Sequence, residues 1–454
     1  MKNRVGRTPI IRAKRLEKDL NIGNIYLKLE GNNPSGHRED RMAYLMMRDA
    51  LSRGKDTICL GTYGTVGGSL SYLTKEFPIK CVFYVPSKSK TLRKDLMEDE
   101  SVKIIEHGKT YEDCVRESRR VSRENGWYDA NPGLANNMIN MYSFSYIARE
   151  LNRQMDDPVD SIFCQTSSGS SISGLHLGFK QLWVSEDIDR LPRIFSTSTS
   201  HGNAIVESFE KKSRDIITLD PVDLKPSKYN RATLNWKCFN GQDALNAIYD
   251  TNGKAIGISD DELREFTSLF RKKERLKFSV QNAYPIASFI KAAENGDIEK
   301  GNHVLILNDG RVHLDVREVK KKDLDMSYDK FLDLLDDWLI QFTDPREEII
   351  EATDNAFEKG HVICAFKDGN LVGTVVLSRS NWDVFFPHYH LSYIATKKNL
   401  KGMGIATQLM DKAIELSKGS LSLHVEVENK RAIKLYEKMG LKRKYYRMLY
   451  MGGE

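Results

Sequence analysis

Cysteine is scarce and scattered. Six occur in 454 residues (Cys59, Cys81, Cys114, Cys164, Cys238 and Cys364), none in a CxxC or CxxH spacing. A zinc site or disulfide frame needs such spacing, so neither is predicted, no metal ligand is assigned, and a reducing compartment is expected. Long uncharged apolar runs are missing too, so no stretch is predicted to span a bilayer as a helix. The opening MKNRVGRTPIIRAKRLEKDL has no apolar centre between its charges, unlike a signal peptide. A cytoplasmic protein with no membrane partner is the expectation. Strong charge of either sign is also absent. The formal net charge is +6, and residues 312–454 carry 22 basic and 22 acidic residues, so the whole excess lies before them. That mild excess suits small anions such as phosphates and is too diffuse to predict a nucleic-acid partner.

What is present is length and alternation. A chain of this size exceeds one ordinary core, so two or three domains are expected. Up to about residue 310, short β-branched runs alternate with longer amphipathic stretches. NIYLKLE, DTICLG, KCVFYVP, SVKIIEH, SIFCQT and HVLILND are the predicted strands, with EDRMAYLMMRDALSRG and NMYSFSYIARELNRQM among the predicted helices. This pattern predicts an α/β domain with a largely parallel sheet, whose ligands sit where strand ends meet helix starts. Small residues cluster at two such places, GTYGTVGGS (61–69) and TSSGSSISG (166–174). Either is a phosphate-binding turn or simply a tight strand-to-helix turn. A third segment, NPSGHREDR (33–41), leads into a helix, and its arginines suggest a loop built around an anion.

Order gives these segments more meaning than any has alone. TPIIRAKRL with IYLKLEGNNPSGHREDR, then GTYGTVGG, YDANPG, QTSSGSSISG and HVLILNDG follow one another along residues 1–311. That succession resembles the tryptophan-synthase-β superfamily, the fold type II pyridoxal-phosphate (PLP) enzymes, with threonine synthase and cysteine synthase among its members. The resemblance implies a phosphate cup at Ser167, Ser168, Gly169, Ser170 and Ser171. It also implies a lysine, within Asn-Pro-(Thr/Ser)-Gly-x-x-Lys-Asp-Arg, that forms a Schiff base with PLP. Here that position is Glu39, and a carboxylate cannot form an imine. The family's ring-hydroxyl asparagine reads Thr65, and the motif near the pyridine nitrogen reads Asn308-Asp309-Gly310. Nothing suggests that Lys28, in the preceding strand, substitutes. PLP stays a candidate ligand, though not as a Schiff base on residue 39.

Three readings of Glu39 compete. It marks a natural loss that leaves a binding or scaffolding domain, an altered lysine one base change away, or a recruited acid or base. A glutamate in a first helical turn also simply suits the helix dipole.

From residue 312 the texture changes. Two amphipathic segments, YDKFLDLLDDWLIQF and PREEIIEATDNAFEKG, precede a predicted hairpin, HVICAFKDG with NLVGTVVLS. HYHLSYIAT, NLKGMGIATQLMDKAIELSKG, SLSLHVEVE and NKRAIKLYEKMG follow. An α+β domain over 312–454, with four or more antiparallel strands, is expected. Its main motif is Lys401, Gly402, Met403, Gly404, Ile405 and Ala406, a bare turn at a helix N-terminus. KKKDLD (320–325) reads as a solvated join, FFPHYH (385–390) as a strand start, and KRKYYRM (442–448) as part of a last strand pair rather than a nucleic-acid surface.

This part resembles the GNAT acetyltransferases. Lys401 stands at the family's Arg/Gln position, and Glu428, Asn429, Ala432, Tyr436 and Gly440 match its E-N-x-x-A-x-x-x-Y-x-x-x-G segment. The resemblance implies acetyl-CoA on residues 401–406 and Asn429, with its pantetheine arm between strands near Tyr393–Ala395 and Leu423–Val427. Tyr436 would protonate the leaving thiolate, unless it is only a core tyrosine. Glu426, Glu428, His388 and His390 are candidate bases.

The leading expectation is an acetyl-CoA-dependent N-acetyltransferase of a small amine or amino acid, fused to a fold type II PLP-enzyme-like domain that has lost imine chemistry. The alternatives are a bifunctional enzyme whose first domain makes an amino acid by β- or γ-replacement, and a metabolite-sensing domain that gates the acetyltransferase. A homodimer is expected from the first family's habit.

Overall fold

The computed structural model describes residues 5–87, 99–131, 133, 136–274, 276, 278–310, 314–367, 369–381, 387–400 and 404–444. The chain divides into two compact units, one of them Val5–Val312. In that unit one sheet has six strands: β1 (Ile10–Arg12), β2 (Gly23–Leu29), β7 (Ser161–Gln165), β8 (Arg193–Thr199), β9 (Lys254–Ile258) and β10 (Gly301–Leu307), in the order β1-β2-β10-β7-β8-β9. Every neighbouring pair is parallel except β1 with β2. The second sheet has four parallel strands: β3 (Thr57–Gly61), β4 (Lys80–Val85), β5 (Val102–Glu106) and β6 (Tyr128–Asp129), in the order β5-β4-β3-β6. The central strands β3 and β7 are buried at every residue. Helices cover both faces of such strands, so they read as apolar runs without alternation.

Three helices frame what matters later: Asp40–Ser52, Asn137–Gln154 and Ser170–Val184. The last two pack through small residues one turn apart. A Cβ on Gly174 would lie 2.5 Å from the carbonyl oxygen of Met141, and one on Gly178 2.5 Å from that of Ser145. Close backbone approach therefore sets where the second of these helices begins.

The helix Asp40–Ser52 is held by buried charge. The Arg41 guanidinium donates to both carboxylate oxygens of Glu30 at 2.7 and 2.8 Å, and to both of Glu150 at 2.7 and 2.9 Å. Lys28 Nζ donates to Thr8 O, Glu150 Oε2 and Gln154 Oε1, each at 2.8 Å. The arginine reading of the 33–41 loop is corrected here in part: the anions around Arg41 are side chains of the protein itself. Lys28 is wholly buried with its three hydrogens engaged, so it has none to spare for a ligand.

The second unit holds one five-stranded sheet: β11 (Asp315–Glu318), β12 (His361–Lys367), β13 (Asn370–Arg379), β14 (Tyr389–Thr396) and β15 (Leu421–Leu423), in chain order. Its first three pairings are antiparallel, giving the four antiparallel strands expected, and β14 with β15 is parallel. Helices Tyr328–Leu339, Arg346–Glu358, Ile405–Leu416 and Lys430–Lys438 accompany it. Of the predicted join, Lys321–Asp323 is a 3-10 turn following β11. Among the described residues no helix is long and apolar enough to cross a membrane, and no His/Cys/Asp/Glu group could hold a metal.

Burial alone would raise the Glu150 carboxyl, but Arg41 and Lys28 outweigh it and hold it below the usual carboxylate range. Glu30 is lowered in the same way, by Arg41 against its own burial. Two carboxyls depressed in the folded state bind fewer protons there than in the unfolded chain. Their contribution is complete above the unfolded value of about 4.3 and drains away as pH falls below it. Glu150→Gln should lose about 3 kcal/mol at pH 7 and show a shallower decline between pH 5 and pH 3 than the unsubstituted protein. Denaturant midpoints at the three pH values check this, and parallel declines would refute it.

Candidate functional site

A cavity of about 160 Å³ in the first unit gathers the three segments singled out by sequence. Ser167, Ser168, Gly169, Ser170 and Ser171 line one end, where β7 runs into the helix Ser170–Val184. Gly169 is that helix's N-cap with φ +105°, and a Cβ there would lie 2.4 Å from the carbonyl oxygen of Asn240. Only glycine fits, and the first-turn N–H groups of a 15-residue helix are left facing the cavity. Asn203 Nδ2 donates to Ser167 O at 3.1 Å and Asn240 N to Ser168 O at 3.0 Å, fixing the turn from behind. Thr65, the first residue of the helix Thr65–Leu73, lines the same cavity.

Glu39 lines it as well. It is the N-cap residue of Asp40–Ser52, yet its side chain makes no cap hydrogen bond, so it is not spent on the helix end. Its carboxylate pairs with Arg38, Nη2 to Oε1 at 3.3 Å, and the two side chains are 8 % and 12 % exposed. Arg38 is fixed in turn by Cys164 Sγ (3.0 Å), Gln165 O (3.2 Å) and the face of Phe144. Asp40 accepts from Ser35 N at 2.7 Å and from Ser35 Oγ, and Ser35 Oγ lies 3.2 Å from Ser69 Oγ. The first and second segments are thereby tied together.

Several lining residues were not expected. Tyr63 and Tyr111 form a wall, their rings 5.8 Å apart and 23° from parallel, and burial pushes the Tyr63 phenol up to about 12. Beside Tyr111, burial pushes the Glu112 carboxyl up to about 7. Phe144, Gln165 and Asn282 complete the cavity. Tyr63 lay inside a flagged loop, whereas nothing local marks the others, because separate elements bring them in. Two buried acceptors in this lining, Gln165 Oε1 and Asn308 Oδ1, have no hydrogen-bond partner among the described residues.

These residues fit a phosphate monoester at the serine end and do not fit covalent attachment of an aldehyde. Among the described lining residues there is no lysine, and Glu39 contributes a carboxylate.

In the second unit β14 and β15 pair only from Tyr389 with Leu421 to Leu391 with Leu423. β14 then continues to Thr396 while β15 stops. The strands thus lose contact beside Tyr393 and Ala395, both buried. Gly404, at φ +74°, caps the helix Ile405–Leu416, whose second residue is Ala406. Lys401, Gly402 and Met403 lie outside the described residues, as do the last residues of the predicted final strand pair. Asn429 caps the helix Lys430–Lys438, its Oδ1 accepting from Ala432 N at 3.1 Å. Tyr436 on that helix is buried, which pushes its phenol up to about 12. Glu426 and Glu428 are exposed beyond the end of β15. His390 is half-buried, with Nδ1 3.0 Å from Ser422 Oγ. A groove of about 640 Å³ elsewhere in this unit, lined by residues such as Lys330, Trp338, Leu371 and Lys397, includes none of these predicted residues.

Comparison with known proteins agrees with both units. Residues 1–310 match the family described as pyridoxal-phosphate dependent enzyme, and residues 329–441 match the acetyltransferase (GNAT) family. The chain is 27 % identical over 307 residues to a threonine synthase of Methanocaldococcus jannaschii, covering 67 % of this chain and 74 % of that one. A threonine synthase of Methanosarcina acetivorans is 23 % identical over 321 residues, covering 69 % and 76 %. Among solved structures, threonine deaminase isoform 2 of Solanum lycopersicum superposes with a TM-score of 0.54 at 17 % identity, over 71 % of this chain and 81 % of that one, and so shares the fold. The chain belongs to the pyridoxal-phosphate dependent enzyme family and carries a C-terminal GNAT acetyltransferase domain.

Proposed function

We propose that this protein is an acetyl-CoA-dependent N-acetyltransferase of a small amine or amino acid, and that its first domain binds a phosphate-bearing ligand without imine chemistry. The observation that carries the first half is the parting of β14 from β15 past Leu391 and Leu423, beside a helix N-terminus capped by Gly404. An extended thioester arm needs such a gap, and a pyrophosphate suits such a turn. The acceptor nitrogen attacks the thioester carbonyl carbon, and the carbon–sulfur bond breaks. The amine proton passes to a base, directly or through water, with Glu426, Glu428, His388 and His390 within this region of the chain. The departing thiolate takes a proton from Tyr436, which burial keeps protonated at neutral pH. The acceptor class rests on the amino-acid chemistry named for the first domain's relatives, which is analogy.

A second reading has one observation in its favour, the likeness to threonine synthases. In it the first domain performs replacement chemistry, and Glu39 stands in the way.

Tyr436→Phe should lower the acetylation rate about 100-fold while leaving acetyl-CoA affinity within twofold, as read by thiol release and calorimetry. Equal rates would reduce Tyr436 to a core residue, and no acetyl-CoA binding by the unsubstituted protein would end the acetyltransferase reading. Adding PLP to the protein and removing the excess should leave no visible absorption band. A persistent band would instead favour the second reading.

A further inference from the structure

The cavity combines an anion-binding end with a wall of acceptors. We infer that it takes a phosphate monoester carrying a protonated primary amine, held without a covalent bond, its phosphate on Ser167–Ser171 and its ammonium against Glu39. This rests on the reading that no imine forms there.

Three observations converge. The cup is shaped for an anion, since Gly169 leaves no room for a side chain and the helix behind it presents its N-terminus. In the same lining, Glu39 is 12 % exposed and has Arg38 as its one ion-pair partner among the described residues. A bound phosphate brings further negative charge into a small enclosed space, where an incompletely balanced carboxylate is costly. Where a lysine would bring a positive charge, Glu39 brings a negative one that Arg38 meets at Oε1 alone, and the ligand's ammonium is assigned to the remaining oxygen. The third observation is independent of charge. Among the described residues Gln165 Oε1 and Asn308 Oδ1 are acceptors without partners, in residues 4 % and 6 % exposed that line the cavity beside Arg38 Nε and His37 Nδ1, which also lack partners. Gln165 has already used Nε2 on Gln281 O, at 3.0 Å, so its orientation leaves an acceptor inward. Unmet buried acceptors call for donors, which an ammonium has and an aldehyde lacks. Tyr63, Tyr111 and Phe144 supply apolar faces for the body of the molecule.

Calorimetry on the full chain tests this with pyridoxamine 5′-phosphate, pyridoxal 5′-phosphate, O-phospho-L-serine and inorganic phosphate as probes. Pyridoxamine 5′-phosphate should bind at least about tenfold more tightly than inorganic phosphate and than the aldehyde, and Glu39→Gln should erase the preference over the aldehyde. Tight binding of O-phospho-L-serine instead would keep the phosphorylated-amine class and assign it an aliphatic body. Pyridoxamine 5′-phosphate and O-phospho-L-serine both binding no better than inorganic phosphate would overturn the ammonium contact, and no phosphate binding at all would overturn the cup. A visible band from the unsubstituted protein with the aldehyde would sink the no-imine reading, a separate failure seen by absorbance rather than by heat. Glu39→Lys should gain that band, and circular dichroism matching the unsubstituted protein shows that either variant is folded.

Discussion

Arg41 is the constraint on which the first domain's site depends. Its guanidinium is closed between Glu30 and Glu150, with Lys28 on the far side of Glu150. Glu30 lies at the end of β2, Arg41 in the first turn of the following helix, and Glu150 on a helix more than a hundred residues later. Removing one partner from such a buried set strands the others, at about 3–5 kcal/mol. The nine residues between Glu30 and Asp40 are therefore pinned at both ends. Position 39 is held at the cavity whatever side chain it carries. The backbone that would present a lysine presents a glutamate in the same way, because none of the residues holding it in place is Glu39.

Much of the architecture was legible because parallel strands covered on both faces have to be apolar throughout. β3 and β7, buried at every residue, announce themselves in that way, whereas the edge strand β5 (VKIIE) has no buried residue and is legible from its β-branched run alone. Other strands are not. β8 (RIFSTST) is rich in serine and threonine, β9 (KAIGI) is short with a glycine, and β1 and β6 hold three and two residues. Their burial comes from neighbours rather than from their own hydropathy. The Arg41 reading erred for a related reason. An arginine that asks for an anion does not say whether the anion is a ligand or a glutamate 109 residues away. Likewise the Tyr63–Tyr111 wall exists only once two loops meet.

In the second domain the informative residue was Asn429. A strand reading of SLSLHVEVE runs on to Glu428, but Asn429 caps the next helix and Asn429 N bonds back to Glu426 O at 3.0 Å. That turn takes the backbone out of the extended state, and β15 ends at Leu423. β14 carries a bulge at Ser392, between Leu391 and Tyr393, and stays paired with β13 as far as Thr396. The parting of β14 from β15 thus lies between the bulge at Ser392 on one strand and the turn that leads to the Asn429 cap on the other.

The two ends of the first cavity rest on different kinds of information. The phosphate end is built from backbone: a glycine at positive φ, a helix N-terminus, and amides that any residue provides. Substituting its serines changes donors one at a time without dismantling the turn. The covalent end of a PLP enzyme rests on a single amine. At position 39 that amine is absent, no lysine is among the described residues lining the cavity, and Lys28 has all three hydrogens committed. Binding and chemistry can thus separate in one step. A glutamate differs there from an alanine, because it places a carboxylate in the cavity at the position where the family's motif places an amine.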